Sequence, residues 1–249
     1  MKLLLTSDLH GLDSAYLEFA AALKEGDYNL GALGGDLMTY PSRSEIEQAR
    51  IQLQKNGEVH QLQSGRLPPA VIEHALLAQQ DYFKSVLKEA GKPVVFLMGN
   101  DDGLLGEGNE WTDEKDLLNV NQRRIEFGNY NIVGYQYTTP FTGGTFEKTE
   151  NEQVEDFREL EKLIDKNTIL ITHGPAWGIL DAVDGDHVGS MALRELIDRK
   201  EPRLHLFGHV HSNFGVMNHA VNGSYHPNQK FVSIDVDSLE IRIVDYLQF

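Results

Sequence analysis

Five short apolar runs in this chain each end at a glycine-containing turn that carries Asp, Asn or His. Lys2–Ser7 stops at Asp8-Leu9-His10-Gly11, and Asn29–Leu33 stops at Gly34-Gly35-Asp36. Val94–Met98 stops at Gly99-Asn100-Asp101-Asp102, Thr168–Thr172 at His173-Gly174-Pro175, and Leu204–Phe207 at Gly208-His209-Val210-His211. Runs of this length and character read as buried strands, and the stretches between several of them have helical spacing. Alternating strands and helices predict an α/β fold. In such folds the C-terminal strand ends share one edge, where ligand sites form. The pattern therefore aims Asp8, His10, Asp36, Asn100, His173, His209 and His211 at one crevice.

The intervening segments fill in the architecture. Asp13-Ser14 is placed to cap a helix with Leu17, Ala20 and Leu23 on one face, and Ser190 to cap another with Leu193, Leu196 and Ile197 inward. Val154, Phe157, Leu160, Leu163 and Ile164 keep helical spacing. Ile132–Tyr137 reads as a strand, and Val216–Val221, Phe231–Val236 and Leu239–Tyr246 as closing antiparallel strands. This strand-only tail argues for a pair of mixed sheets within one domain, residues 1–249. Tyr40–Lys92 exceeds a minimal crossover. Ser44 and Glu47 form a capping-box signature there, followed by Ile46, Ala49 and Leu53, and Ile72, Leu76, Phe83, Val86 and Leu87 mark a second helix. Two readings stay open for this stretch: an ordinary helical crossover, or an inserted helical pair that lids the site or makes a subunit contact.

The chemistry follows from residue type. The chain has no cysteine, which excludes thiolate metal sites, disulfides and thiol catalysis. Oxygen and imidazole donors without thiolate suit Mn, Fe, Zn, Ni or Co. Seven such donors are too many for one ion and suit two divalent ions with a shared carboxylate. The formal net charge of −16 disfavours a general grip on nucleic acid or anionic lipid, yet allows a phosphorylated substrate whose charge is met by bound metal. Leu3-Leu4-Leu5 is too short for a leader or membrane span, so a cytoplasmic protein is expected.

Taken in order, these elements resemble the calcineurin-like metallophosphoesterase superfamily, whose pattern runs D-x-H, G-D, G-N-H-[DE], H, G-H-x-H. The resemblance covers Lys2 to about Asn222, less Tyr40–Lys92. The segment His173–His211 is similar to a metallophosphodiesterase subgroup with brain-expressed members. The resemblance implies a four-layer α/β/β/α sandwich of two mixed sheets. It implies that Asp8, His10, Asp36 and His211 hold one ion and Asp36, Asn100, His173 and His209 the other, with Asp36 bridging. It implies hydrolysis of a small phosphodiester or phosphomonoester by attack of a metal-bridging hydroxide. Homo-oligomerisation is compatible with it.

The chain departs from this pattern at Asp101, where the superfamily usually has the His that assists the leaving group. An aspartate beside two dications is ionised and a poor proton donor. Asp101 and Asp102 are candidate catalytic residues, with Asp102 expected to organise the ligands. Asn100 and His187 are candidates for contacting substrate, and His226 sits in a comparable loop. His60, His74, His205 and His219 read as surface or packing residues, His219 within a late strand. Two other functions compete. A non-catalytic scaffold would be expected to lose ligands, and all seven positions are filled. A DNA nuclease would need a basic cluster near the motifs, and none is present.

Overall fold

The computed structural model describes residues 1–58, 68–105 and 111–245. Expectations that fall elsewhere, His60 and the end of the last strand at Tyr246, lie outside the described residues. The strands are β1 (Lys2–Thr6), β2 (Leu30–Leu33), β3 (Val94–Phe96), β4 (Leu117–Asn119), β5 (Arg124–Phe127), β6 (Tyr130–Tyr135), β7 (Thr168–Thr172), β8 (Ala182–Val183), β9 (Asp186–His187), β10 (Leu204–Phe207), β11 (Gly215–Met217), β12 (Ala220–Asn222), β13 (Phe231–Asp235) and β14 (Glu240–Val244). The helices are α1 (Asp13–Glu25), α2 (Arg43–Lys55), α3 (Pro69–Lys88), α4 (Glu150–Leu160) and α5 (Met191–Lys200).

Two six-stranded sheets form, in the orders β14-β13-β1-β2-β3-β4 and β11-β12-β10-β7-β6-β5. Both are mixed: β1, β2, β3 and β4 run parallel while β13 and β14 are antiparallel, and β6, β7, β10 and β12 run parallel with antiparallel β5 and β11 at the edges.

Strand alternation divides the core into layers. Leu3 and Leu5 of β1 join Ala32, Val95, Ile169, Ile171, Leu204 and Leu206 between the sheets. Leu4, on the other face, packs with Tyr16, Phe19 and Leu23 of α1 and Leu76, Phe83 and Leu87 of α3. Val133 and Leu170 of the second sheet pack outward on Phe157 and Leu160 of α4 and Leu193 and Leu196 of α5. The result is the expected α/β/β/α sandwich.

Local expectations need several corrections. Leu17 is 50% exposed, because α1 rolls its Tyr16/Phe19/Leu23 face onto the sheet. No side chain caps α1, since Leu12 occupies the cap position and Asp13 is already helical. The capping box of α2 is Ser42 with Glu45, two residues before Ser44 and Glu47. Helix α4 stops at Leu160, where a 3₁₀ turn over Glu161–Leu163 takes over, and Val154 is exposed. Val216–Val221 is not one strand but the hairpin β11–β12. Asn218 takes a positive φ of 55° at its turn, which leaves His219 exposed outside either strand. Strands β4 and β5 and the β8–β9 ribbon were not expected: β4, β8 and β9 are only two or three residues long, and β5 alternates polar with apolar over just four residues at a sheet edge.

Within the Tyr40–Lys92 stretch the two helices differ. Helix α3 connects parallel β2 to β3 and fills the core, with Phe83 stacked on Tyr16 at a ring distance of 4.0 Å. Helix α2 lies on α3 through a small separate cluster of Ala49, Leu53, Val71 and Ala75. Among the described residues, no helix is long and apolar enough to cross a membrane. Phe83→Ala should cost ~3–5 kcal/mol of unfolding free energy, as for other buried aromatics. Leu53→Ala should cost distinctly less, because its cluster is small and peripheral. Urea denaturation of both variants measures the difference.

Candidate metal centre

The loops that leave β1, β2, β3, β7 and β10 converge where the two sheets meet. The seam is stitched by backbone: Ser7 N–H donates to the Gly223 carbonyl at 3.0 Å and Tyr225 N–H to the Ser7 carbonyl at 2.8 Å. Glycines let the strands close on the ligands. A Cβ on Gly99 would lie 2.2 Å from Asp36 Oδ1, and one on Gly208 would lie 2.3 Å from Asp8 Oδ2. The ligands themselves carry backbone strain. Asp8, His10, Asp36 and His209 have φ of 57°, 43°, 51° and 68°, a left-handed conformation that ordinary residues adopt at a cost.

All seven expected residues come together. Around Asp8, His211 Nε2 lies 3.3 Å from Asp8 Oδ1 and 3.2 Å from His10 Nε2. Around Asp36, His173 Nε2 lies 3.3 Å from Asp36 Oδ1 and 3.1 Å from Asn100 Oδ1, and His209 packs ring to ring with His173 at 5.1 Å. His10 Nε2 faces Asp36 Oδ2 at 3.9 Å. Donor atoms within 4.8 Å of one another define three groups that could hold an ion: Asp8/His10/His211, Asp36/His173/His209 and His10/Asp36/Asp101.

These groups are pre-oriented. His173 Nδ1–H donates to the Gly34 carbonyl at 2.8 Å, which leaves Nε2 facing the crevice. Asp8 accepts from His209 N–H at 3.0 Å and from the Ser224 hydroxyl at 2.7 Å. Asp36 Oδ1 accepts from Asp101 N–H at 2.9 Å. Ser224 is a residue that the sequence reading missed. Its signal was available, since Asn222-Gly223-Ser224 is another polar glycine turn after a strand.

The electrostatics call for cations. Burial penalises a charged imidazole at His173, but Asp36 and Asp8 outweigh it and push its pKa up to about 10. Burial and the neighbouring His173 charge push His209 down to about 4. Asp8 stays ionised despite complete burial because His211, His173 and Ser224 favour the anion. His173 Nε2 between two acceptor oxygens, and buried carboxylates that share one crevice with four imidazoles, are what an oxygen- and nitrogen-liganded cation fits.

The other candidates occupy distinct places. Asp102 is buried, and its carboxylate accepts from Leu37 N–H, Met38 N–H and Gly99 N–H at 3.0, 2.7 and 2.8 Å. It thereby ties the Asp36 turn to the Asn100 turn. Burial and Asp36 push its pKa up to about 7. Asp101 is half-exposed, with Oδ2 3.6 Å from His10 Nδ1, and its Oδ1 accepts from Asn100 Nδ2 at 3.0 Å. His187 lies in the β8–β9 ribbon, where Nδ1 pairs with Asp181 at 2.7 Å and the ring meets Trp177. His226 stands 5.8 Å from His211, ring to ring. His205 is a buried sheet residue whose Nε2 pairs with the Thr172 hydroxyl at 2.8 Å.

Comparison with known proteins agrees with this geometry. The sequence is 50% identical over 52 residues to the human metallophosphoesterase domain-containing protein 1, a match that covers 20% of this chain and only 16% of that relative. The structure resembles the protein TT1561 of Thermus thermophilus, with a TM-score of 0.65 and 15% identity over 98% of both chains. It also resembles a dimetal phosphatase from Danio rerio, with a TM-score of 0.57 and 10% identity over 99% of both chains. These two likenesses establish the fold. The family profile for calcineurin-like phosphoesterases matches residues 1–213. With the ordered turns and the sandwich that gathers them, this match places the chain in the calcineurin-like phosphoesterase family.

Proposed function

We propose that this protein is a metal-dependent phosphoesterase that hydrolyses a small phosphodiester or phosphomonoester. The observation that carries the reading is the position of Asp36. Its Oδ1 faces His173 at 3.3 Å, its Oδ2 faces His10 at 3.9 Å, and the remaining donors fall on one side or the other. Asp8, His10, Asp36 and His211 would hold one ion, and Asp36, Asn100, His173 and His209 a second. Two such ions, when bound, supply Lewis acidity to a phosphoryl oxygen and a nucleophilic water at neutral pH.

The chain's own groups do the positioning. Ser224 and the His209 N–H turn the Asp8 carboxylate toward His211. The Gly34 carbonyl fixes the His173 tautomer. Asp102, by gripping three N–H groups, keeps the Asp36 and Asn100 turns at a fixed separation. Asp101 stands where the superfamily pattern that the chain resembles has His, and as a carboxylate beside bound cations it would accept hydrogen bonds rather than donate a proton.

Elemental analysis of protein re-loaded with Mn²⁺ should give about two ions per chain. A stoichiometry near zero would sink the reading. Asp36→Asn should reduce both metal content and kcat/KM, the latter by ~100-fold or more, beyond the ~10–100-fold typical of losing a ligand's hydrogen-bond partner. His10→Ala should empty one site and keep part of the activity. Near-wild-type turnover by Asp36→Asn would remove the bridging role.

Leaving-group dependence tests Asp101. General acid assistance is worth ~10²–10⁴-fold for poor leaving groups and little for p-nitrophenolate. Asp101→His should therefore raise turnover of alkyl phosphodiesters and leave p-nitrophenyl esters nearly unchanged. Equal slopes of log(kcat/KM) against leaving-group pKa in the two proteins would show that Asp101 does not occupy the proton-donor position.

A further inference from the structure

A cavity of about 440 Å³ opens beside the metal-ligand cluster, and its lining includes His10, Asn100 and Asp101 together with Tyr40, Thr142 and Gly143. Its volume is that of a small-molecule site. Three features define what it can take. Tyr40 is 57% exposed and gives the cavity an aromatic surface. Thr142, Gly143 and Gly144 present mostly backbone, and flat peptide groups pack well against flat rings. Among the described residues neither Lys nor Arg lines it, while Asp101 does.

The 142–145 wall is built, not incidental. The Glu147 carboxylate accepts from Phe141 N–H, Thr142 N–H and Gly143 N–H at 2.8, 2.8 and 2.9 Å, and from the Thr142 hydroxyl at 2.9 Å. Burial works against the Glu147 charge, yet these donors pull its pKa down to about 2. The Thr145 hydroxyl donates to the Gly103 carbonyl at 3.1 Å. Gly144 lies so close that a Cβ there would sit 2.6 Å from the Asn100 carbonyl oxygen. The wall is thus fastened to the same turn that presents Asn100 and Asp101.

We propose that this cavity is the subsite for one ester arm of the substrate, and that it selects an uncharged arm bearing a planar ring, with Tyr40 as the specificity-determining residue. The proposal rests on the phosphoesterase reading, which puts the phosphoryl group beside His10 and Asn100. From there an arm entering the cavity meets Tyr40 and glycine backbone. An anionic arm gains no Lys or Arg partner among the described lining residues.

The test is calorimetric titration of the Mn²⁺-loaded protein with methylphosphonate, phenylphosphonate and 4-carboxyphenylphosphonate, alongside turnover of bis-p-nitrophenyl phosphate and p-nitrophenyl phosphate. Phenylphosphonate should bind about tenfold more tightly than methylphosphonate, the scale of one ring contact plus its buried area. Tyr40→Ala should abolish that preference, and Tyr40→Phe should retain it. The carboxylated ring should bind more weakly than the plain one. Equal affinity for methyl- and phenylphosphonate, a preference that survives Tyr40→Ala, or no binding of either phosphonate overturns the subsite. A ring preference lost in Tyr40→Ala, with no hydrolysis of either bis-p-nitrophenyl phosphate or p-nitrophenyl phosphate, would instead overturn the phosphoesterase reading and leave the subsite standing.

Discussion

Two carboxylates, Asp8 and Asp36, are buried at the seam between the sheets, 0% and 3% exposed. Removing an anion from water costs several kcal/mol unless positive charge and hydrogen bonds replace the solvent. The surroundings are organised to do this. Imidazoles approach each carboxylate from loops of both sheets, a hydroxyl and two backbone N–H groups take further oxygen lone pairs, and the flanking glycines make room. The left-handed backbone at four of the ligands belongs to the same arrangement, because turning the chain sharply after a strand is how a short loop points a side chain back along the sheet edge.

That requirement also explains the sandwich. Each sheet carries only part of the set: Asp8, His10, Asp36 and Asn100 follow strands of the first, and His173, His209 and His211 follow strands of the second. Neither sheet alone neutralises its own donors. The apolar layer between the sheets, from Leu3 and Leu5 to Ile171 and Leu206, holds them together at the distance where the sets interleave. Hydrophobic burial thus supplies the association, and the polar edge fixes the register.

The parts legible in the sequence were those where one residue type has few reasons to occur. Asp, Asn and His in glycine turns after buried runs are a distinctive pattern, so the convergence of these turns and the pair of mixed sheets could be read from the residues, while the four layers came from the resemblance. Boundaries were less legible. Ser42 rather than Ser44 caps α2 because both serines are followed three residues later by glutamate, and tertiary packing of Ala49 and Leu53 on α3 chose the register. Val216–Val221 looked continuous because nothing but Asn218 marks the turn. Glu147 was opaque for another reason. Its role lies in backbone N–H groups, which every residue possesses, so no side-chain pattern announces it.

The Glu147 clasp has a consequence for the thermodynamics of association. A surface loop that orders only when a ligand arrives charges the conformational entropy of its residues against affinity. Here a single carboxylate of the same loop satisfies three consecutive N–H groups of the 141–143 segment. The ordering cost is met during folding, from the stability of the whole domain. An incoming molecule that fits is then spared the cost of ordering this loop, and one that does not fit meets a wall already fixed by its own hydrogen bonds.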